Sequence, residues 1–239
     1  MSWAAHDLEP YAIQKHTKLK LAFVPLLIGS YSPDMMTKWF VYGIHLGPWD
    51  LKASDPAKFH RGWPGVGFTH SLTFGLALGA VVFLLTRSKP WAIGLTLGVW
   101  MHVLSDTGDT VGCMLLFPWT QHFTLGAWAY AGQTGRIPDA AAYYSGLGFV
   151  WDGLWLVLAL ACWPVLRRSY FFERVVPSDG FWSWTRRRLS DDVLLALYRG
   201  AVFFGACRFA IWMLWTHVLH DYPFDPTWGG PHWAPAVRL

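Results

Sequence analysis

Four long apolar runs separated by short polar turns dominate the chain: Val66 to Thr86, Trp91 to Leu104, Tyr143 to Leu166 and Val193 to His217. A helix that crosses a bilayer needs about 20 mostly apolar residues, and each run reaches or approaches that length. A fifth run, Leu19 to Ser30, is shorter, contains Pro25 and is followed by Pro33. It fits a half-span, a tilted helix or a re-entrant element, since breaks in helix at membrane depth are tolerated where protein or water covers them. Phe123 to Ala131 is too short to cross and reads as interfacial. Phe181 to Leu189, with Trp182 and Trp184 ahead of Arg186, Arg187 and Arg188, reads as an amphipathic segment on the membrane surface. The expected fold is all-α, a polytopic integral membrane bundle of four to five transmembrane helices with short interfacial helices, forming a single membrane domain over residues 1–239.

Composition agrees with this pattern. Only 14% of the 239 residues are charged, against 54% hydrophobic and 18% aromatic, with 17 Trp. A typical soluble domain is about 25% charged, and Trp concentrates where one end of its ring is apolar and the other wet. The net charge of +4 does not point to nucleic acid, because the basic residues cluster between apolar runs as membrane flanks do. The lipid bilayer is the expected partner. Cys113, Cys162 and Cys207 have no metal-ligand or disulfide spacing and read as apolar packing residues. The polar opening His6, Asp7, Glu9, Pro10 does not read as a cleavable signal peptide.

Positive charge in short loops faces the cytoplasm. Lys15, Lys18 and Lys20, then Arg87 and Lys89, then Arg167, Arg168, Arg174 and Arg186 to Arg188 fall on one side of alternating spans. That side is expected to be inside, in a multi-pass protein of the cell's inner membrane. Gly75 with Gly79, and Gly94 with Gly98, are small residues one turn apart, a spacing that lets backbones approach closely in lipid. The second and third runs, joined by a short loop, are expected to form an antiparallel hairpin.

In so apolar a chain, ionisable residues near spans are the informative ones, since each costs about 2.5 to 3.5 kcal/mol at the membrane centre. Asp34, His60, His70, His102 and Asp106 all map to the outer level of this topology. His102 and Asp106 are four apart and share a helix face. Imidazoles and carboxylates brought together at one membrane face suit a divalent metal ion, zinc above all. Asp152 and Arg208 form a second set. Asp152 lies 15 residues from Arg167, and Arg208 lies 15 residues from Val193, which puts both at about 22 Å depth. They are expected to form a structural ion pair between helices. His217, His220 and Asp221 read either as an extension of the metal site or as a wet helix end.

The motifs carrying these residues are Gly29-Ser30-Tyr31-Ser32-Pro33-Asp34, His60-Arg61-Gly62, Thr69-His70-Ser71 and His102-Val103-Leu104-Ser105-Asp106. Thr110, Gly112 and Phe117-Pro118 follow. In this order they resemble the YdjM-like family of membrane-bound metal-dependent hydrolases, over roughly residues 16–120. On that resemblance, residues 16–120 form a hydrolase-like half and 121–239 a helical half with a Trp-rich tail. The resemblance implies a metal-dependent hydrolase akin to zinc phosphoesterases; a site at the membrane surface between helices favours the phosphoester of a lipid or lipid-linked substrate, and the charge pattern sets it on the non-cytoplasmic side. Asp34, His60, His70, His102 and Asp106 would be its metal ligands. Asp109, or an unliganded Asp106, would be the general base, and Arg61 would steady a phosphate. Two departures stand out: Met36 replaces the second carboxylate of the family's P-D-x-D element, and Trp63 to Phe68 separate the H-R-G and T-H-S elements. With the Trp surplus, these departures support the alternative of a non-catalytic transmembrane subunit of a larger assembly, such as a pigment or electron-transfer complex. His6 and His16 are left outside the expected site.

Overall fold

The computed structural model describes residues 4–17, 21–52, 61, 67–119, 121–128 and 136–224. Within them the chain is helical apart from one small antiparallel hairpin, β1 (Ile44–Leu46) and β2 (Trp49–Leu51). The first helices are α1 (Ala5–His16) and α2 (Phe23–Tyr42). After the hairpin come α3 (Leu72–Thr86) and α4 (Lys89–Asp106). The second half holds α5 (Arg136–Ser145), α6 (Gly148–Ala161), a run of short helical turns from Trp163 to Ser178, α7 (Gly180–Thr185) and α8 (Asp191–Met213), which continues as a wider turn to Leu219.

Local chemistry sets these boundaries. Ser71 caps α3 by accepting the Phe74 N–H at 3.0 Å, and Arg87 in the left-handed region closes it. Pro90 opens α4, where its missing N–H is not needed. Ser190 caps α8, and Asp191 and Asp192 meet the positive end of its dipole. Of the readings open for Leu19 to Ser30, the structure forms a continuous 20-residue helix through Pro33. Proline within a helix strands the carbonyl four residues back. Here that carbonyl is Gly29's, and the Ser32 hydroxyl donates to it at 3.0 Å.

α2 packs on α4 backbone to backbone. A Cβ on Gly98 would overlap the Leu26 carbonyl oxygen, and one on Gly29 would overlap the Leu95 carbonyl oxygen. Gly94 lies against Ala22 and Pro25 in the same seam. The α3–α4 hairpin forms as expected, with Gly75 against Trp100 and Gly79 against Thr96. The second glycine pair, however, serves α2 rather than α3. α1 threads among α2, α6 and α8, and every residue from Ala4 to Tyr11 is buried.

One helix, Asp191–Leu219, is long and apolar enough to cross a membrane. A second span exists only if Ile137–Ser145 and Gly148–Ala161, bent by 80°, count as one. α3 is apolar but has 15 residues; α2 and α4 have the length but carry Asp34, Lys38, His102 and Asp106. By this measure the described helices reach one or two spans, against the four to five expected from the apolar runs. Their outer faces are nonetheless apolar. Leu85 on α3, Val157 on α6 and Phe203 on α8 are 79%, 63% and 72% exposed, the kind of surface a lipid environment covers. All three cysteines are free, with Cys113 and Cys162 buried.

The glycine seam yields a stability test. Gly98→Ala should lower stability by about 2 kcal/mol or more, since the clash is with backbone and cannot relax by rotamer change. Gly200→Ala, where the new methyl meets open space, should leave stability unchanged or raise it by up to about 1 kcal/mol. Thermal unfolding of the purified variants in one detergent compares them.

Candidate metal centre

Asp34 from α2, His70 from the turn before α3, and His102 and Asp106 from the end of α4 converge on one point. Each offers one ligand atom, and all four atoms lie within 4.8 Å of one another. His70 Nε2 is 3.4 Å from Asp34 Oδ1 and 3.8 Å from Asp106 Oδ2. His102 Nε2 is 3.7 Å from each of the same oxygens. Direct hydrogen bonds between these groups would close to about 2.7–3.2 Å. Two ligands bound at about 2.1 Å to a tetrahedral ion instead stand roughly 3.4 Å apart. The separations are too long for hydrogen bonds and leave room for a cation among the four donors, and the ring nitrogens of His70 and His102 that face this point make no hydrogen bond.

The surrounding groups fix the donors. His102 Nδ1 donates to the Ser30 carbonyl at 2.6 Å, which commits Nε2 to the cluster, the arrangement metal-ligating histidines use. His70 is held by its neighbours: the Ser71 hydroxyl donates to the Phe68 carbonyl at 2.6 Å, and the Leu72 N–H to the Leu115 carbonyl at 2.9 Å. The segment after α4 thus ties down the start of α3. Gly112, at φ 65°, lets that segment turn so tightly that a Cβ there would overlap the Phe123 carbonyl.

Arg61 sits between Asp106 and Asp109 and pairs with both. Asp109 Oδ1 also accepts the Val111 and Gly112 N–H groups at 3.0 and 2.8 Å. Burial pushes the Asp109 carboxyl up, but its charged and hydrogen-bonding neighbours, the Arg61 guanidinium foremost, draw it down, and Asp109 lies below the usual carboxylate range. His60 lies outside the described residues.

Three further groups lie beside the cluster: His6, set outside the expected site, and Glu9 and Lys38. His6 stacks on the His102 ring at 3.7 Å and places Nε2 3.6 Å from Asp106 Oδ1. Its Nδ1 is 3.3 Å from Glu9, which in turn accepts from the Ser30 hydroxyl at 3.2 Å. Lys38 Nζ lies 3.1 Å from Asp34 Oδ1. The i, i+3 spacing of His6 and Glu9 and the i, i+4 spacing of Asp34 and Lys38 were visible signals.

The second set makes these contacts. The carboxylate that meets the Arg208 Nε is Asp7, at 3.5 Å. Asp152 accepts the Ala4 and Ala5 N–H groups at 2.9 and 3.2 Å, and the Tyr144 and Tyr143 hydroxyls at 2.7 and 3.2 Å. It caps α1 from a distant helix. His217 reaches the Tyr144 carbonyl at 3.0 Å, and His220 stacks on Trp215 at 4.0 Å.

The Asp152 cap holds the helix that carries His6. Asp152→Ala leaves two buried hydroxyls and two buried N–H groups without this acceptor, and should cost about 3 kcal/mol or more. Hydrogen exchange over residues 4–9 should rise well before exchange in α3, which is the measurement that checks it.

No curated protein and no solved structure matches the chain. One family model, described as the YdjM inner membrane protein, matches residues 8–176. That stretch takes in most of α1, all of α2 to α4, the four residues of the candidate metal centre and both motif departures, and on it the chain belongs to the YdjM inner membrane protein family.

Proposed function

We propose that this protein is an integral-membrane metal-dependent hydrolase acting on a phosphoester of a lipid or lipid-linked substrate. One observation carries the reading: two buried imidazole nitrogens without hydrogen-bond partners and two carboxylates face a common point at the separations of metal ligands. Asp34, His70, His102 and Asp106 would hold the ion, with zinc favoured by the nitrogen and oxygen donor set. A divalent ion there supplies Lewis acidity and activates water near neutral pH.

The chain's own residues prepare that chemistry. The Ser30 carbonyl holds His102 in the ligating tautomer. His6, stacked on His102 and braced by Glu9, closes the inner wall and limits water. Arg61 and Asp109, expected to steady phosphate and accept a proton, are better read as a brace. Both are buried, and Arg61 bridges Asp109 to the ligand Asp106. A guanidinium so engaged orients Asp106, and a carboxylate held ionised by it is a weak base.

Location supports a lipid substrate. Met35, Met36, Trp39 and Phe40 follow Asp34 on α2 and are exposed, as are Leu46, Trp49 and Leu51 of the hairpin. Trp39, Phe40, Ile44 and Leu51 line an apolar groove of about 370 Å³, near the lower end of ligand-pocket size. In this reading α2, α3 and α4 lie in the bilayer with α6 and α8 as a multi-pass bundle. α4 separates the basic turn at Arg87 and Lys89 from Asp106 by about 25 Å, and with basic turns facing the cytoplasm this supports a site on the non-cytoplasmic side. The convergence of Asp34, His70, His102 and Asp106 also favours an enzyme over a non-catalytic subunit, and Met36, which stands for the missing P-D-x-D carboxylate, is 49% exposed.

Purified protein should contain about one zinc or similar ion per chain, measured by elemental analysis. His70→Ala and His102→Ala should each reduce it by at least tenfold and abolish phosphoesterase activity. Wild type without stoichiometric metal would sink the proposal.

A further inference from the structure

Access to the metal centre is one-sided. The side chains of His70 and His102 are 0% exposed, Asp106 1% and Arg61 4%, whereas Asp34 and Lys38 are 23% and 19% exposed. A molecule approaching an ion held there passes Asp34 and Lys38. Lys38 sits one helical turn beyond Asp34, and its Nζ contacts Oδ1, the same oxygen that faces both ligand imidazoles. When that oxygen gives a lone pair to a cation, its hold on the ammonium weakens. A compact ammonium with rotatable donors then turns to an incoming oxygen anion. Arg61 cannot take this part, since Asp106 and Asp109 engage it on the buried side.

We propose that Lys38 is the specificity residue of this site, binding a phosphate oxygen of the substrate at the mouth of the metal centre. The proposal rests on the hydrolase reading and narrows it to substrates that present a phosphate anion. A neutral ester or amide would leave Lys38 without an added role. The phosphate could belong to a lipid headgroup or to a free phosphorylated molecule; the chemistry at Lys38 is shared.

Zinc-loaded protein in neutral detergent provides the test. Inorganic phosphate and, separately, a water-soluble short-chain phosphatidic acid are titrated calorimetrically into wild type, Lys38→Met and Lys38→Arg, with zinc content measured alongside. A charge-assisted hydrogen bond is worth enough that Lys38→Met should keep its zinc yet bind phosphate about tenfold more weakly or worse. Lys38→Arg should stay within about threefold of wild type, since the charge is kept. Tighter, Lys38-dependent binding of phosphatidic acid than of phosphate identifies a lipid headgroup; equal binding identifies a free phosphate group. Zinc retained with wild-type phosphate affinity in Lys38→Met overturns the proposal. Zinc lost in Lys38→Met also overturns it, because Lys38 would then serve only to hold Asp34. Wild type that binds no zinc overturns the hydrolase reading and this proposal with it.

Discussion

The close approach of α2 to α4 is the contact on which the rest of this structure depends. With glycine at 29, 94 and 98, the two backbones meet with no side chain between them. This proximity brings the Ser30 carbonyl within 2.6 Å of His102 Nδ1 and sets Asp34 across from His102 and Asp106. In lipid, where apolar side chains gain little by leaving their surroundings, such small-residue seams are a principal means of holding helices together. Here the seam also fixes which nitrogen of His102 is available to the site.

α1 shows how a polar element can be buried in so apolar a chain. His6, Asp7 and Glu9 would be costly there unless each met a partner. Glu9 takes His6 and the Ser30 hydroxyl, Asp7 faces Arg208, and Asp152 satisfies the N–H groups at the helix start. The hydrogen bonds that make this burial tolerable also aim His6 at His102. Stability and site geometry are therefore coupled through the same few groups.

Much of the site was legible because ionisable residues are scarce in the sequence, and their positions relative to apolar runs gave them a common level. Asp34, His70, His102 and Asp106 were found that way. Depth along a span does not choose neighbours around a helix, so the Asp7 carboxylate that lies 3.5 Å from Arg208 Nε, on a helix too polar to read as part of the bundle, was not legible in the sequence. His6 and Glu9 were missed for the same reason: α1 is too polar to read as a span, and only its tertiary surroundings reveal that it lies inside. By length and composition the described helices reach one or two spans where the apolar runs suggest four to five, because helix ends and bends such as the 80° break between α5 and α6 divide in space what is continuous along the sequence.

The pairing of Lys38 with Asp34 and of Arg61 with Asp106 has a consequence for how the protein matures. Zinc fingers remain unfolded until an ion neutralises their ligands. In this chain both carboxylates of the cluster already meet built-in cations, so on the proposed metal reading the helices can assemble in the membrane with the cluster in place and take up an ion afterwards. On that reading metal acquisition would be a late event at a finished site, governed by the supply of ions on the side of the membrane that the site faces.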